Sequence, residues 1–311
     1  MKVLRGDPHA WEPPEEGSVL TVGVFDGVHL GHRRIGASLL EEAEQRGGLA
    51  AGIVTFDRHP LATISPTETP DLITTLDEQV EQWTVLGMKF VAVLTFEEGV
   101  RSMTPARFAK TVLSAGLSAR HIVVGAGFRF GRDGAGDVAE LMVLGDKLGF
   151  TVGAVELVEM SEMPVSSTQI RGAIAEGDME SAARWLGRRF TRAGVVIPGA
   201  NRGAEIGFAT ANLAIQAGLA VPGHGVYAAF ARLDGERLPA VVNIGTRPTF
   251  DDTGEVVEAH LLDFDQDIYG RSLILEFVKR LRGERRFESV EDLVDQIGRD
   301  VAEARALLGA E

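Results

Sequence analysis

Apolar residues in the first part of the chain come in short runs: SVLTVGVF, LAAGIVTF, FVAVLTF, HIVVGAG and FTVGAVELV. Runs of this length, rich in Val and bounded by turn residues, predict strands. Amphipathic windows with readable helix starts fall between them. Thr75 and Glu78 have capping-box spacing, and Thr104 sets a cap before Pro105 at the first helical position. A further helix, HRRIGASLLEEAEQRG, is predicted to open at His32. Strand–helix alternation predicts an α/β fold, a doubly wound parallel sheet with ligands at the carboxyl ends of its strands.

From about Arg188 the pattern changes. TRAGVVIP, GVYAAFARL, LPAVVNIG, EVVEAHLLDF and SLILEFVKRL follow one another without helices, separated by Gly, Pro and Asp turns. That texture predicts an antiparallel sheet or closed β-barrel. A terminal helix, capped by Ser289 with Asp292 three on, carries apolar spacing at Leu293, Ile297 and Val301. The change at LGRRFTRAG predicts two domains, 1–187 and 188–311. No internal repeat or low-complexity tract interrupts them.

Composition narrows the possible functions. A length of 311 residues suits two domains, and a net charge of −14 argues against a nucleic-acid partner. Any phosphate ligand must then be held by local groups. The chain has no Cys, which excludes disulfides, thiol catalysis and zinc–thiolate sites and fits a cytoplasmic protein. The start, MKVLRGDPHAWEPPEEG, lacks the apolar region of a signal peptide. Phe208–Ala231 is uncharged, but Asn212, Gln216, Pro222 and His224 make it a poor membrane span. A monomer or weak homo-oligomer with no membrane partner is expected.

GVFDGVHLGH (residues 23–32) concentrates the candidate chemistry. Gly31 can bring backbone close to a ligand, and free N–H groups at the following helix start favour an anion. His29 and His32 beside that start can donate hydrogen bonds to phosphate oxygens. Metal ligation lacks a third ligand with suitable spacing, and core packing is the other alternative. In SSTQIR, Ser166, Ser167 and Thr168 offer helix caps and Arg171 lies one turn in. Hydroxyls, N–H groups and a guanidinium could converge there on phosphate, the alternative being an ordinary cap with a surface arginine. TFDRHP puts Asp57 and His59 at one sheet edge, in a ligand loop or a turn held by an Asx hydrogen bond and Pro60. GAGFRFG is one residue off the dinucleotide fingerprint and is followed by RDGAGD rather than a helix. No Gly is followed by Lys anywhere, so a kinase on this chain is not of P-loop type.

GVFDGVHLGH resembles the HxGH signature of nucleotidyltransferases. With TFDRHP, FRFG, SSTQIR and LGRRF in order, the first part is similar to the bifunctional prokaryotic riboflavin kinase/FAD synthetases. GFATAN, GVYA, NIGTRPTF, VEAHLLDF and the closing helix resemble that family's flavokinase domain. The resemblance implies an enzyme of FMN and FAD biosynthesis, with riboflavin, FMN, FAD and ATP as substrates or products. ATP would be co-substrate and Mg²⁺ the cofactor. In the first domain, His29 and His32 would surround the α-phosphate as the flavin phosphate attacks. Gly23, Phe25, Asp26, Gly31, Ser166, Ser167, Thr168 and Arg171 would bind nucleotide phosphates, and Asp57, His59 and Phe128 the flavin. In the second, Arg202, Gly203 and Gly207 would cover the ATP phosphates. Thr210 and Asn212 would hold Mg²⁺, and Glu258 would take the proton from the ribityl hydroxyl. Ala211 and Ala259 would be packing positions and His260 structural.

Three positions depart from the family pattern. Gly127 stands where Asp or Asn usually precedes FRFG, removing a polar group near the phosphates. Ala209 replaces a proline, which is expected to loosen its loop by under about 1 kcal/mol. Ala204 and Glu205 follow Arg202-Gly203 where a second arginine is common. These departures leave two alternatives: a paralogue with one active half or an altered flavin or nucleotide substrate, and a non-catalytic flavin or nucleotide sensor.

Overall fold

The structure, a computed structural model, describes residues 1–156, 159–160, 163–199, 203, 206–246 and 255–309. The chain divides into two compact units, Met1–Ser167 and Thr168–Glu311.

The first unit is a six-stranded parallel sheet. Its strands are β1 (Lys2–Arg5), β2 (Ser18–Val22), β3 (Ala50–Phe56), β4 (Phe90–Leu94), β5 (Ala119–Gly125) and β6 (Thr151–Val155), in the order β1-β4-β3-β2-β5-β6. The predicted runs form β2 to β6. The sequence pattern missed the short edge strand β1, which pairs with β4 in register Lys2–Phe90 to Arg5–Val93. Helices α1 (Leu30–Gln45), α2 (Leu76–Val85), α3 (Pro105–Phe108, running on as a π-type segment to Ala115) and α4 (Val138–Leu148) lie between strands. Thr75 and Glu78 make both bonds of the capping box on α2, and Thr104 caps α3. Every residue of β2 and β4 is buried, as strands covered on both faces must be.

Strand β2 lies between β3 and β5, so the chain moves outward to one side of β2 before returning to the other. The carboxyl ends of β2 and β5 mark the topological switch point, where open α/β sheets leave a crevice. GVFDGVHLGH occupies that position. Its helix begins earlier than predicted: α1 starts at Leu30 rather than His32, with His29 as N-cap.

The second unit begins with α5 (Ser167–Glu176, whose first residue belongs to the first unit) and α6 (Met179–Leu186). Then come β7 (Thr191–Ile197), β8 (Ala211–Ala214), β9 (Gly225–Leu233), β10 (Glu236–Thr246), β11 (Glu255–Leu261) and β12 (Ser272–Arg282). They form a closed barrel in the order β8-β11-β10-β9-β12-β7. Five strands match predicted runs. The sixth, β8, begins in the last two residues of GFATAN and closes the barrel by pairing with both β7 and β11.

Tyr227, Phe190 and Phe277 fill the interior. The terminal helix α7 (Val290–Leu308) is capped by Ser289 and buries Ala304 and Leu308 against the barrel's outer face. Asp300 lies in the same inward stripe, paired with Arg282 of β12 at 2.9 Å. A second buried carboxylate, Glu276, accepts hydrogen bonds from Arg189, Arg232 and Arg237. Burial would push its pKa up, but these three guanidiniums outweigh it and hold the group at about 2.

Candidate functional site

In the first unit, the end of β2 leads into a turn with unusual backbone. Phe25 and Val28 have φ of 53° and 40°, the left-handed region that side-chain-bearing residues rarely adopt. Gly23 is needed for space, because a Cβ there would lie 2.9 Å from Phe25 Cζ. The Phe25 ring meets Trp83 of α2 edge-on at 5.4 Å and His32 at 5.2 Å. The sheet core thus supports His32 through two aromatic rings.

His29 Nδ1 accepts the His32 N–H at 3.4 Å, satisfying one of the first donors of α1. An Nδ1 that accepts carries no proton, which puts the ring N–H on Nε2. The two rings stack with centroids 3.6 Å apart and planes 20° apart. Burial, with the His29 charge as a lesser cause, holds the His32 pKa well below the ordinary histidine range. His32 is therefore neutral near pH 7. Its Nδ1 is buried with no hydrogen-bond partner among the described residues, a state that a polar ligand would relieve.

Asp26 has a different setting from the one expected of a phosphate contact. It is 3% exposed, and its Oδ1 accepts the N–H groups of Ile73 and Thr74. The carboxylate is thus held by backbone donors beneath the loop. Ser167 Oγ donates to the Asp26 carbonyl at 2.8 Å, which places Ser167 at the same turn. Ser166 stands at the residue before α5. Thr168 and Arg171 fall in the second unit, where the guanidinium donates to the Thr168 hydroxyl at 3.4 Å. Gly31 packs against His29, whose Cε1 would lie 3.0 Å from an added Cβ.

The expected flavin residues stand on loops leaving β3 and β5 at the same carboxyl edge. Asp57 Oδ1 accepts the Phe96 N–H at 2.9 Å, and Oδ2 pairs with Arg58. Burial opposes ionisation there, but the Arg58 and Phe96 hydrogen bonds win and lower its pKa. Asp57 thus fastens the loop after β4, a partner that the Asx-turn reading did not include. His59 Nδ1 accepts the Leu61 N–H at 3.2 Å. Phe128 lies parallel to Phe130, with ring centroids 5.5 Å apart. At Gly127 the chain is exposed, and a Cβ would meet nothing within 4 Å. No steric demand for glycine exists there.

In the second unit, three adjacent strands bring polar groups into one row. Asn212 of β8 is the register partner of Glu258 of β11, which is the partner of Asn243 of β10. Register partners point to the same face. Exposure rises along the row, from buried Asn212 to half-buried Glu258 to exposed Asn243. Asn243 Nδ2 donates to Glu258 Oε2 at 3.5 Å. Sequence reasoning missed Asn243, and its one available signal is a polar residue within the apolar run LPAVVNIG.

The Asn212 side chain occupies the space that a Cβ on Gly199 would need. Gly203 likewise packs against the Phe208 carbonyl and Thr210 Oγ1. Gly207 takes a φ of 87°, a turn conformation suited to glycine. Arg202, Ala204 and Glu205 lie outside the described residues. The loosening expected from Ala209 meets a restraint, because its carbonyl accepts from His260 Nδ1 at 2.7 Å. The His260 ring also meets Phe208 edge-on at 5.5 Å. His260 thus has the structural setting expected of it.

Thr210, Asn212 and Glu258 offer a hydroxyl, an amide and a carboxylate, all hard oxygen donors. No cluster of three or more His, Cys, Asp or Glu able to hold a metal occurs among the described residues. This donor set fits a Mg²⁺ ion that arrives on nucleotide phosphates and keeps most of its ligands there.

Comparison with known proteins covers both units. The FAD synthetase family model matches residues 12–169, and the riboflavin kinase family model matches residues 186–308. A bifunctional riboflavin kinase/FMN adenylyltransferase of Pseudomonas fluorescens is 40% identical over 99% of this chain and 98% of its own length. Its Bacillus subtilis counterpart is 36% identical over 95% and 94%. A solved Streptococcus pneumoniae structure, described as a macrolide-efflux protein, superposes with a TM-score of 0.90 at 29% identity, covering 98% of this chain and 99% of that one. Among the described residues of this chain, no helix is long and apolar enough to cross a membrane.

Proposed function

The chain belongs to the bifunctional riboflavin kinase/FMN adenylyltransferase family, and we propose that its two units divide the two reactions between the residue sets described above. The enzyme phosphorylates riboflavin to FMN with ATP and adenylylates FMN to FAD with release of pyrophosphate. ATP is co-substrate in both steps.

For phosphorylation, Glu258 accepts the proton of the ribityl hydroxyl as its oxygen attacks the γ-phosphorus and ADP leaves. Asn212 and Glu258 share a rung, so the metal-side oxygen and the base face one substrate position. Thr210 and Asn212, together with phosphate oxygens, would hold Mg²⁺, which would supply charge neutralisation at the nucleotide. Gly203 and Gly207 let backbone approach the phosphates, and Arg202 is assigned there from the sequence pattern.

For adenylyl transfer, an FMN phosphate oxygen attacks the α-phosphorus of ATP and the bond to pyrophosphate breaks. No covalent enzyme intermediate is required. His29 and His32 donate to the α-phosphate oxygens at the N-terminus of α1, where aligned N–H groups favour negative charge. Ser166, Ser167 and the backbone at Gly31 complete the first-unit contacts, with Gly23, Phe25 and Asp26 holding the turn. Thr168 and Arg171 are assigned to phosphate on sequence pattern. Asp57, His59 and Phe128 border the flavin side.

The observation that carries this reading is the presence, on one chain, of both family matches together with the His29–His32 pair and the Asn212–Glu258 rung. Incubation of pure protein with riboflavin, ATP and Mg²⁺, resolved by chromatography, is expected to give FMN and then FAD. Finding neither product overturns the reading. Exposed Gly127, with open space where the family carries a polar side chain, favours a second reading in which adenylyl transfer is the weaker activity. Supplying FMN and riboflavin separately decides between the two: equal turnover removes the second.

A further inference from the structure

We infer that Thr74 is a positioning residue for adenylyl transfer, because its hydroxyl locks the left-handed turn that presents His29 and His32. This inference rests on the reading that those histidines meet the α-phosphate. Within Phe25–Val28, three of the four residues have positive φ: 53° at Phe25, 85° at Gly27 and 40° at Val28. For β-branched Val28 such a backbone is a genuine outlier. Conformations of this kind cost about 1–3 kcal/mol each and persist only where the surroundings over-determine them.

The surroundings here are specific. The Gly27 N–H donates to Thr74 Oγ1 at 2.8 Å, in a buried position. The same hydroxyl lies 3.5 Å from Asp26 Oδ1, the acceptor of the Ile73 and Thr74 N–H groups at 2.9 and 3.1 Å. Thr74 therefore uses its oxygen in both directions, accepting from the turn and donating to the carboxylate that pins it. Thr74 and Asp26 are each 3% exposed, so water does not compete for these bonds.

Thr74 is itself held firmly. The next residue, Thr75, opens the capping box of α2, and Trp83 of that helix packs edge-on against Phe25. The turn is thus clamped twice on one rigid helix. His29 follows Gly27 by two residues, so rotation of the Gly27 peptide displaces the N-cap imidazole directly. Displacements near 1 Å at reacting groups cost about 10²-fold in rate. Nothing in the local sequence of GVFDGVHLGH indicates a partner 47 residues away.

The test uses the full chain and steady-state conversion of FMN to FAD, with riboflavin phosphorylation on the same samples as an internal control. Thr74→Val keeps the side-chain shape but removes the acceptor. It is expected to lower kcat for FAD formation by about 10- to 100-fold while KM for ATP stays within about two-fold. Thr74→Ser keeps the oxygen and is expected to restore most of the lost kcat. Riboflavin phosphorylation is expected to be unchanged in both. If Thr74→Val fails to fold, Thr74→Ala carries the same expectation without a new methyl group against Asp26. Wild-type kcat in the hydroxyl-free variant, or no recovery with serine, overturns the inference. His32→Ala run alongside separates the two levels. Normal FAD formation in that variant overturns the histidine reading itself, whereas its loss beside an unaffected Thr74→Val overturns only the role of Thr74.

Discussion

In the first unit, the groups assigned to phosphate hang on a turn that is strained at Phe25 and Val28 and held by buried bonds from distant residues. In the second, the residues assigned to metal and base share one row of an antiparallel ladder, Asn212 beside Glu258, with Asn243 next in the row. The turn can bring two imidazoles into stacking at a helix start, which no regular ladder could do, but its accuracy depends on residues far from the ligand. The ladder sets its side chains by register alone, and a slip of one residue would turn them all to the other face. A sensitive site built on local strain thus sits on the same chain as a robust one built on pairing.

The largest expected effect falls on the ladder's base. Glu258→Gln should lower riboflavin phosphorylation by about 10²- to 10⁴-fold while FAD formation from supplied FMN is unchanged, both read by chromatography. Next, His32→Ala should lower FAD formation by about 10²- to 10³-fold and spare riboflavin phosphorylation. Loss of both activities in either variant would break the division of labour.

The comparison extends to acid stability. The pKa of Glu276 is lowered from 4.5 to about 2 in the folded barrel, so its stabilisation is present above about pH 4.5 and fades as pH falls toward 2. Allowing for screening of the partly exposed arginines, this amounts to about 2 kcal/mol. Urea unfolding at pH 5 and pH 3 should show about half of that loss, the rest falling below pH 3, and Glu276→Gln should flatten the difference. The smallest effect is expected at Gly127→Asn. With open space around the position, stability should change by less than about 0.5 kcal/mol, while FAD formation gains relative to FMN formation.

Features that depend on near neighbours in sequence were legible. The caps at Thr75 and Ser289, read from residues three apart, and at Thr104, read from the following Pro105, each occur as predicted. The doubly wound sheet and the closed barrel follow the change from alternating helices to uninterrupted strands. Four-residue β1 and β8 escaped because neither is long enough to show a period, and both owe their existence to partners elsewhere. Asn243 and the setting of Asp26 escaped for the same reason. Their meaning comes from cross-strand and cross-loop neighbours, which no local pattern encodes. The start of α1 was shifted because His29 itself serves as the cap, a role more often filled by Ser, Thr, Asp or Asn.

Strand β8 carries Asn212 and also forms the seam of the barrel, pairing with β7 on one side and β11 on the other. Excising residues 199–214 to make a kinase-dead protein would leave two raw sheet margins open to other chains. Such a deletion would confound lost catalysis with self-association. Side-chain replacement at Asn212 keeps the backbone seam closed, so point variants rather than truncations are the sound way to silence this half.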